Sequence, residues 1–360
     1  MFGGDFLKNI LGTGTILGVD IGTASIKAVE VGRAGEQYQL VNYGILSNYG
    51  HFERANEVIQ TSTMQIFDKE AVAILKLLLK KMGTRARRAV ASLPIFSTFT
   101  TLIEMPEMNQ EEMKQAIGFK AKQYIPLPLS EVTIDWLPMG ARQDENGKTV
   151  RQILLVAVPT EKIKKYRQIF TEAGLVLAAL EIESLSVARS VIRYDQTPTI
   201  ILDIGSHSTA LTVADGGFVK SSTQIDYAGN HLTRALAQGL NINMRRAEEL
   251  KKQKGLLGTG GEFELSTIMF PFTDVILKEV MRAKERYGES PGGRKIERVI
   301  LAGGGANLPG LVAYAERQLG MPVIAANPLL GFKYKDELAP AITELGATLT
   351  VAIGLAMREI

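Results

Sequence analysis

The stretch Leu17-Gly18-Val19-Asp20-Ile21-Gly22-Thr23-Ala24-Ser25-Ile26-Lys27 returns in kind as Ile201-Leu202-Asp203-Ile204-Gly205-Ser206-His207-Ser208-Thr209. In each copy an apolar strand ends in Asp, turns through Gly into small hydroxyl residues, and resumes as a β-rich run. Such a hairpin suits a phosphate group. Glycine lets the backbone come close, successive N–H groups cradle the oxygens, and the carboxylate at the strand end can hold the waters of a Mg²⁺ ion. A single copy is equally well a tight turn with a capping Asp. Two matched copies predict two hairpins that face each other and clamp a nucleotide. A third segment, Arg298-Val299-Ile300-Leu301-Ala302-Gly303-Gly304-Gly305-Ala306-Asn307-Leu308-Pro309-Gly310, runs a buried-type strand into glycines and then into a helix beginning near Pro309. It offers bare backbone to an adenine ring or its phosphates.

Working outward, the first lobe begins with strands over 16–46 and a helix over 68–82 stopped by Gly83. The stretch 85–174 reads as a self-contained insert of βαββα pattern. Its strands are expected over 89–93, 96–104, 132–137 and 150–158, with a hairpin turn at Asn146-Gly147. Asn109-Gln110-Glu111-Glu112 forms a capping box ahead of a helix carrying Met113, Ile117 and Tyr124, and Thr160 caps a last helix that ends at Gly174. A connecting helix falls within 175–198. A second lobe over 199–360 repeats the strand-hairpin theme, with helices over 230–239, 244–254 and 273–287, a mobile loop over 288–294, a strand over 321–325 and a terminal helix from about Ala341.

Taken in order, the three glycine segments resemble the phosphate-one, phosphate-two and adenosine motifs of the actin-like ATPase superfamily, an α/β, two-lobed, ribonuclease-H-like fold. That resemblance implies an ATP and Mg²⁺ site. Asp20 and Asp203 would organise the metal through water, and Lys27 would reach the phosphates. Around them would stand Gly22, Thr23, Ala24 and Ser25 of the first hairpin, Gly205, Ser206, His207 and Ser208 of the second, and Gly303, Gly304, Gly305 and Asn307 of the third segment. Ala247-Glu248-Glu249-Leu250-Lys251-Lys252 resembles the helix that packs on adenosine in DnaK-type chaperones, with Glu248, Lys251 and Lys252 at ribose and base; by itself this hexamer reads equally as a solvated charged face. Leu180-Glu181-Ile182-Glu183 resembles the start of the superfamily's first connecting helix, whose polar residue helps place the attacking water. Glu183 holds that position, with Glu181 as second choice; an N-terminal carboxylate favoured by the helix dipole is the competing reading.

The insert narrows the resemblance. A small subdomain occupies this place in the division protein FtsA and in the PilM proteins of the bacterial type IV pilus apparatus. Lys122-Gln123-Tyr124-Ile125-Pro126-Leu127-Pro128-Leu129-Ser130-Glu131-Val132 closely resembles the Tyr-Ile-Pro-Phe-Pro segment of PilM proteins, with Leu127 where that family often has Phe. The PilM resemblance implies a cytoplasmic, ATP-binding adaptor, peripheral at the inner membrane, with slow or no ATPase activity. Its partner would be the cytoplasmic N-terminal peptide of PilN, held between the first lobe and the insert. Other pilus platform or motor proteins and self-association are further partners it allows.

Composition fits that picture. The 360 residues, 46% hydrophobic and 22% charged, suffice for a core split between two lobes. A net charge of +3 supplies no basic stripe for nucleic acid. The absence of cysteine excludes disulfides, zinc-thiolate sites and thiol catalysis. His51, His207 and His231 lack ligand spacing, and only His207 lies in a phosphate loop. The first residues lack the features of a signal peptide, and Phe2, Phe6 and Ile10 suit a leader packed on the first strand. No run reaches the ~20 apolar residues of a membrane helix, so membrane association is expected to be indirect. A Walker A P-loop is missing. Two alternatives remain: an FtsA-like division protein, which normally ends in an amphipathic membrane helix, and a small-molecule kinase, which needs an acidic base between the lobes.

Overall fold

The computed structural model describes residues 14–47, 63–143, 147–257 and 263–360. The leader with Phe2, Phe6 and Ile10, His51, and Asn146 of the expected hairpin turn lie outside them. The chain opens with β1 (Ile16–Ile21), β2 (Ser25–Ala34) and β3 (Gln37–Ser47), followed by α1 (Thr63–Met82) and β4 (Arg88–Leu93). All six residues of β1 are buried, as befits a central strand covered on both faces. Leu17 and Val19 join Ile26, Leu75 of α1 and Ala89 of β4 in one apolar cluster.

The next elements build a separate sheet: β5 (Phe99–Pro106), α2 (Gln110–Tyr124), β6 (Val132–Gln143) and β7 (Thr149–Pro159), in the order β5-β7-β6. Asn109 and Glu112 form the expected capping box, each bonding the other's backbone N–H. Met113 and Ile117 face the insert core, whereas Tyr124 is exposed rather than buried with them. The chain then passes through α3 (Thr160–Glu172), β8 (Val176–Ile182) and α4 (Glu183–Val191). Thr160 is the first helical residue and not the cap; Pro159 precedes it and no side chain caps this end.

The insert is smaller than 85–174. β4 pairs in parallel with β1 and β8, so the first sheet runs β3-β2-β1-β4-β8, and Ile169 and Phe170 of α3 pack into the first lobe. Both elements fall within the expected insert because their apolar patterns carry no mark of which sheet they join. Leu180, Glu181 and Ile182 likewise end a strand instead of starting the connecting helix.

The second lobe repeats the plan with β9 (Thr199–Ile204), β10 (Thr209–Asp215) and β11 (Phe218–Ile225), then α5 (Gly229–Gly239), α6 (Met244–Lys254) and α7 (Phe263–Gly288). β12 (Arg298–Ala302), α8 (Leu311–Leu319) and β13 (Val323–Ala325) complete a sheet of order β11-β10-β9-β12-β13. α7 starts ten residues before the expected 273, running through Pro271. Proline weakens a helix locally, but Met269 and Ile276, buried on either side of it, hold the helix to its neighbours. The expected mobile loop is pinned: Arg294 and Tyr287 both bond Asp215, and Arg294 also reaches the carbonyl of Gln196.

The chain ends in α9 (Ala339–Leu345) and α10 (Thr350–Ala356). α10 belongs with the first lobe, contrary to the 199–360 division: Ala352, Ile353 and Ala356 pack with Val29, Val31 and Leu40 of β2 and β3. Glycines allow this approach. A Cβ on Gly18 of β1 would lie 1.8 Å from the carbonyl oxygen of Ala352, and one on Gly354 would lie 1.8 Å from that of Ser186 in α4.

The carboxylate of Glu181, buried at the end of β8, takes two hydrogen bonds from Arg189 at 2.5 and 2.6 Å, and Arg358 stands 3.7 Å away. It is an internal clasp between β8, α4 and the C-terminus, so its role as second choice for placing water does not hold.

Stability measurements on three variants test these contacts. Gly18→Ala should lower the unfolding free energy measured in urea by about 2–4 kcal/mol, because backbone cannot yield to the new methyl group. Gly118→Ala, in helical α2 with open space around its Cα, should instead be neutral or stabilising by up to about 1 kcal/mol. Glu181→Ala should cost about 3 kcal/mol by stranding Arg189, while leaving nucleotide affinity measured by calorimetry unchanged.

Candidate functional site

Both Asp-Ile-Gly segments fold into the same hairpin. In the first, the Gly22 N–H donates to the carbonyl of Ser25 at 3.1 Å; in the second, the Gly205 N–H donates to that of Ser208 at 3.0 Å. Asp20 sits opposite Lys27 in the β1–β2 register, and Asp203 sits opposite Ala210 in the β9–β10 register. The two turns meet across a cleft of about 1600 Å³ between the lobes. His207 Nδ1 and Thr23 Oγ1 are hydrogen-bonded at 3.0 Å, and Asn230 approaches the other ring nitrogen at 3.5 Å.

Four ionisable groups converge beneath the hairpins. Lys27 Nζ donates to Asp20 Oδ2 at 3.0 Å, and Ser92 of β4 donates to Asp20 Oδ1 at 2.9 Å. Asp203 and Glu183 act on the same lysine through space. Burial pulls the Lys27 ammonium down, but Asp20, Asp203 and Glu183 together outweigh it and hold the lysine above its ordinary range. Burial, opposed by Lys27 and reinforced by Asp20, pushes the Asp203 carboxyl up to about 6. Burial and then the charges of Asp20 and Asp203 push Glu183 well above the usual carboxylate range, against the pull of Lys27 and of the Ile95 backbone N–H. Three carboxyl groups share one lysine, so the site carries more negative charge than it neutralises. Among the described residues no group of three or more His, Cys, Asp or Glu side chains is arranged to hold a metal ion directly.

The third glycine segment closes the cleft from the second lobe. Gly303 adopts φ +77, and a Cβ there would lie 2.3 Å from Asp203 Oδ1, so only glycine lets β12 turn against that carboxylate. Gly304 has open space beside it, and Gly305, Asn307 and Thr348 line the same cleft. Asn307 donates to Thr348 Oγ1 at 3.1 Å and to the Glu344 carbonyl at 3.0 Å.

The α6 residues are not a uniformly solvated face. Lys251 Nζ lies 2.6 Å from Glu248, donates to Thr233 Oγ1 at 2.8 Å and to the Gly229 carbonyl at 3.0 Å, while the Gly229 N–H donates to the Gly205 carbonyl at 3.1 Å. One chain of bonds thus ties α6 to the second hairpin, with Lys252 exposed at its margin. Gly22, Thr23, Ala24, Ser25, Gly205, Ser206, His207 and Ser208 all line the cleft with Asp20, Lys27, Asp203, Glu183, Glu248, Lys251 and Lys252. Sequence reading missed Ser92, Thr233, Gly229 and the Ile95 N–H. None sits in a recognisable motif, and only the fold brings them to the cleft.

The insert is braced to the second lobe beside this site. Lys220 of β11 donates to the Met139 carbonyl at 3.1 Å and to Gln152 Oε1 at 2.9 Å. Met139, at an irregularity in β6, packs with Ile182 and Leu185 on either side of Glu183.

Residues 18–360 match the family described as Type IV pilus assembly protein PilM. Among solved structures, the fold is similar to a PilM-PilN type IV pilus biogenesis complex, with a TM-score of 0.78 and 25% identity over 95% of this chain and 98% of that one. MreB5 of Spiroplasma citri bound to ADP shares the fold at a TM-score of 0.55 and 14% identity, over 96% of both chains. The cell division protein FtsA of Enterococcus hirae is 23% identical across 86% of this chain and 78% of its own length. With the actin-like fold and paired hairpins in place and the family match running through nearly the whole sequence, the chain belongs to the PilM family of type IV pilus assembly proteins.

Proposed function

We propose that the chain is an ATP-binding adaptor of the pilus assembly platform, cytoplasmic and peripheral at the inner membrane, which grips the cytoplasmic N-terminal peptide of a PilN-type protein under nucleotide control. The observation that carries the nucleotide half is the meeting of two like glycine hairpins over a lysine ringed by carboxylates, with His207 and Thr23 in contact. The solved relatives include MreB5 proteins bound to ADP and to AMPPNP. Adenosine would lie between Gly303–Gly305 with Asn307 and the Glu248, Lys251 and Lys252 side of α6. The phosphates would rest on the hairpin N–H groups and Lys27.

With Glu183 held toward its neutral form, Asp20 and Asp203 still outnumber Lys27, and that surplus fits a divalent cation. Mg²⁺, when bound, would offset the phosphate charge, and Asp20 and Asp203 would hold it through its waters, the mode common for this ion. The partner half is supported by the likeness to the PilM-PilN complex along almost the full chain. A peptide that orders between the first lobe and the insert would trade chain entropy for buried side chains. Nucleotide touching both hairpins biases the angle between the lobes. The Lys220 brace carries that angle to the insert, so differential affinity suffices to link the two ligands without turnover.

Calorimetry with ATP, with and without Mg²⁺, tests the site. Asp20→Asn and Asp203→Asn should each remove about tenfold or more of the Mg²⁺-dependent gain in affinity. Unchanged Mg²⁺-dependent affinity in both folded variants would remove the assignment.

Turnover should be slow or undetectable. Hydrolysis needs a placed water and a group to take its proton, and Glu183, the residue the superfamily resemblance puts in that role, has surroundings that favour its neutral form. Phosphate release should therefore stay far below about 10 per second, the median for enzymes, with or without the PilN-type peptide. Sustained turnover near that rate, lost in Glu183→Gln, would make this a working ATPase.

A further inference from the structure

The small net charge of +3 is unevenly spread. Between Glu70 and Glu104 the sequence holds no Asp or Glu, yet it carries Lys76, Lys80, Lys81, Arg85, Arg87 and Arg88. All six are exposed. They run along the second half of α1, the turn after it and the first residue of β4. On α1, Val72, Leu75 and Leu78 face the core, so Ala73, Lys76, Leu77, Lys80 and Lys81, exposed and at helical spacing, share the outward side. Gly83, at φ +64, ends the helix, and the three arginines follow at once.

Internal contacts account for little of this charge. Arg88 stands 3.7 Å from Glu359, and Arg87 donates to the carbonyl of Ala86 at 3.3 Å. Among the described residues no carboxylate pairs with Lys76, Lys80, Lys81, Arg85 or Arg87. Lys80 and Lys81, in the last turn of α1, complement the helix dipole. The dipole does not account for Lys76 or the arginines, nor for the apolar side chains that stand out among them. Leu77 is 45% exposed beside Lys76, and Val176 of β8 is 62% exposed. Val176 pairs with Arg88 in the β4–β8 register, and its N–H donates to the Arg87 carbonyl at 2.7 Å. Cations with aliphatic side chains between them suit an anionic bilayer, whose phosphates meet the charged heads while the apolar groups and lysine stems enter the acyl boundary. A nucleic acid would answer the charge alone. None of these residues is aromatic, so bases would have nothing to stack on, and Leu77 and Val176 would stay in water.

We propose that the edge of the first lobe from Lys76 to Arg88, together with Val176, is a contact surface for an anionic phospholipid bilayer. The proposal rests on the peripheral placement proposed above and deepens it, adding a direct contact to the indirect one expected from the sequence. No helix among the described residues is long and apolar enough to cross a membrane. The contact is therefore a reversible one, made by charge and a few shallow apolar side chains.

Co-sedimentation of the full chain with vesicles tests it. Phosphatidylcholine vesicles with about 30% phosphatidylglycerol should capture the wild-type chain about tenfold better than phosphatidylcholine alone, and raised salt should release it. The double variant Lys80→Gln, Lys81→Gln should be captured about 25-fold more weakly, close to fivefold for each lysine. Leu77→Ser should weaken capture at low and high salt alike. Equal capture of the wild-type chain by both vesicle types, or capture by neither, overturns the proposal without recourse to a variant. Undiminished capture of both variants puts the contact elsewhere and overturns it too. Tighter binding to a short DNA duplex than to the anionic vesicles overturns it in favour of nucleic acid. Vesicles carrying a PilN-type protein keep the two readings apart. A chain caught by these and not by bare anionic vesicles loses the direct contact and keeps the peripheral placement, whereas a chain caught by neither loses both.

Discussion

Where α10 crosses β1 and α4, backbone packs on backbone. Gly18 and Gly354 leave no room for even a methyl group against the carbonyls of Ala352 and Ser186. That contact fixes β1, and β1 carries Asp20 at its end. It also fixes α4, and α4 begins with Glu183. Two of the three carboxylates at the centre of the cleft are therefore placed by a helix from the last residues of the chain. A packed interior resists small shifts, so the relation between Asp20 and Glu183 is set before any ligand arrives.

The site itself is a balance of charge rather than a set of independent residues. Lys27 is held charged because three carboxylates surround it, and Glu183 and Asp203 are pushed toward neutrality because one lysine cannot satisfy three acids in a buried place. An arrangement of this kind is costly without ligand and is relieved by added positive charge. The nearby clasp of Glu181 by Arg189 shows the contrast: there a buried carboxylate has its bidentate partner and ties β8 to α4.

The insert links the cleft to the rest of the molecule by two routes. Lys220 joins it to the edge strand of the second lobe, and Met139 packs against the residues flanking Glu183. A change in the angle between the lobes must move the insert or break these contacts. The turn Ile95–Ser97 stands at the same junction, with its first N–H on Glu183 and its exposed Phe96 under Lys162.

Much of this was legible in the chain. Two Asp-Ile-Gly hairpins and a glycine-rich turn after a strand are local patterns, since a tight turn and a close backbone approach demand glycine wherever they occur; the two hairpins fold alike, and Gly303 packs against Asp203. The Asn109 capping box is local for the same reason, its two bonds spanning only three residues. What the chain could not decide was which lobe an element joins. β4 and α3 read as parts of the insert and α10 as part of the second lobe, because an apolar strand or helix records that it is buried but not against what. Tyr124, on the same helix as the buried Met113 and Ile117, faces outward, and Glu181 and Glu183, two residues apart, part company because one ends a strand and the other begins a helix. Ser92, Thr233 and Gly229 join the site only through contacts between residues far apart in sequence. Local conformation follows from neighbouring residues, whereas partnership across the cleft follows from how whole sheets and helices pack.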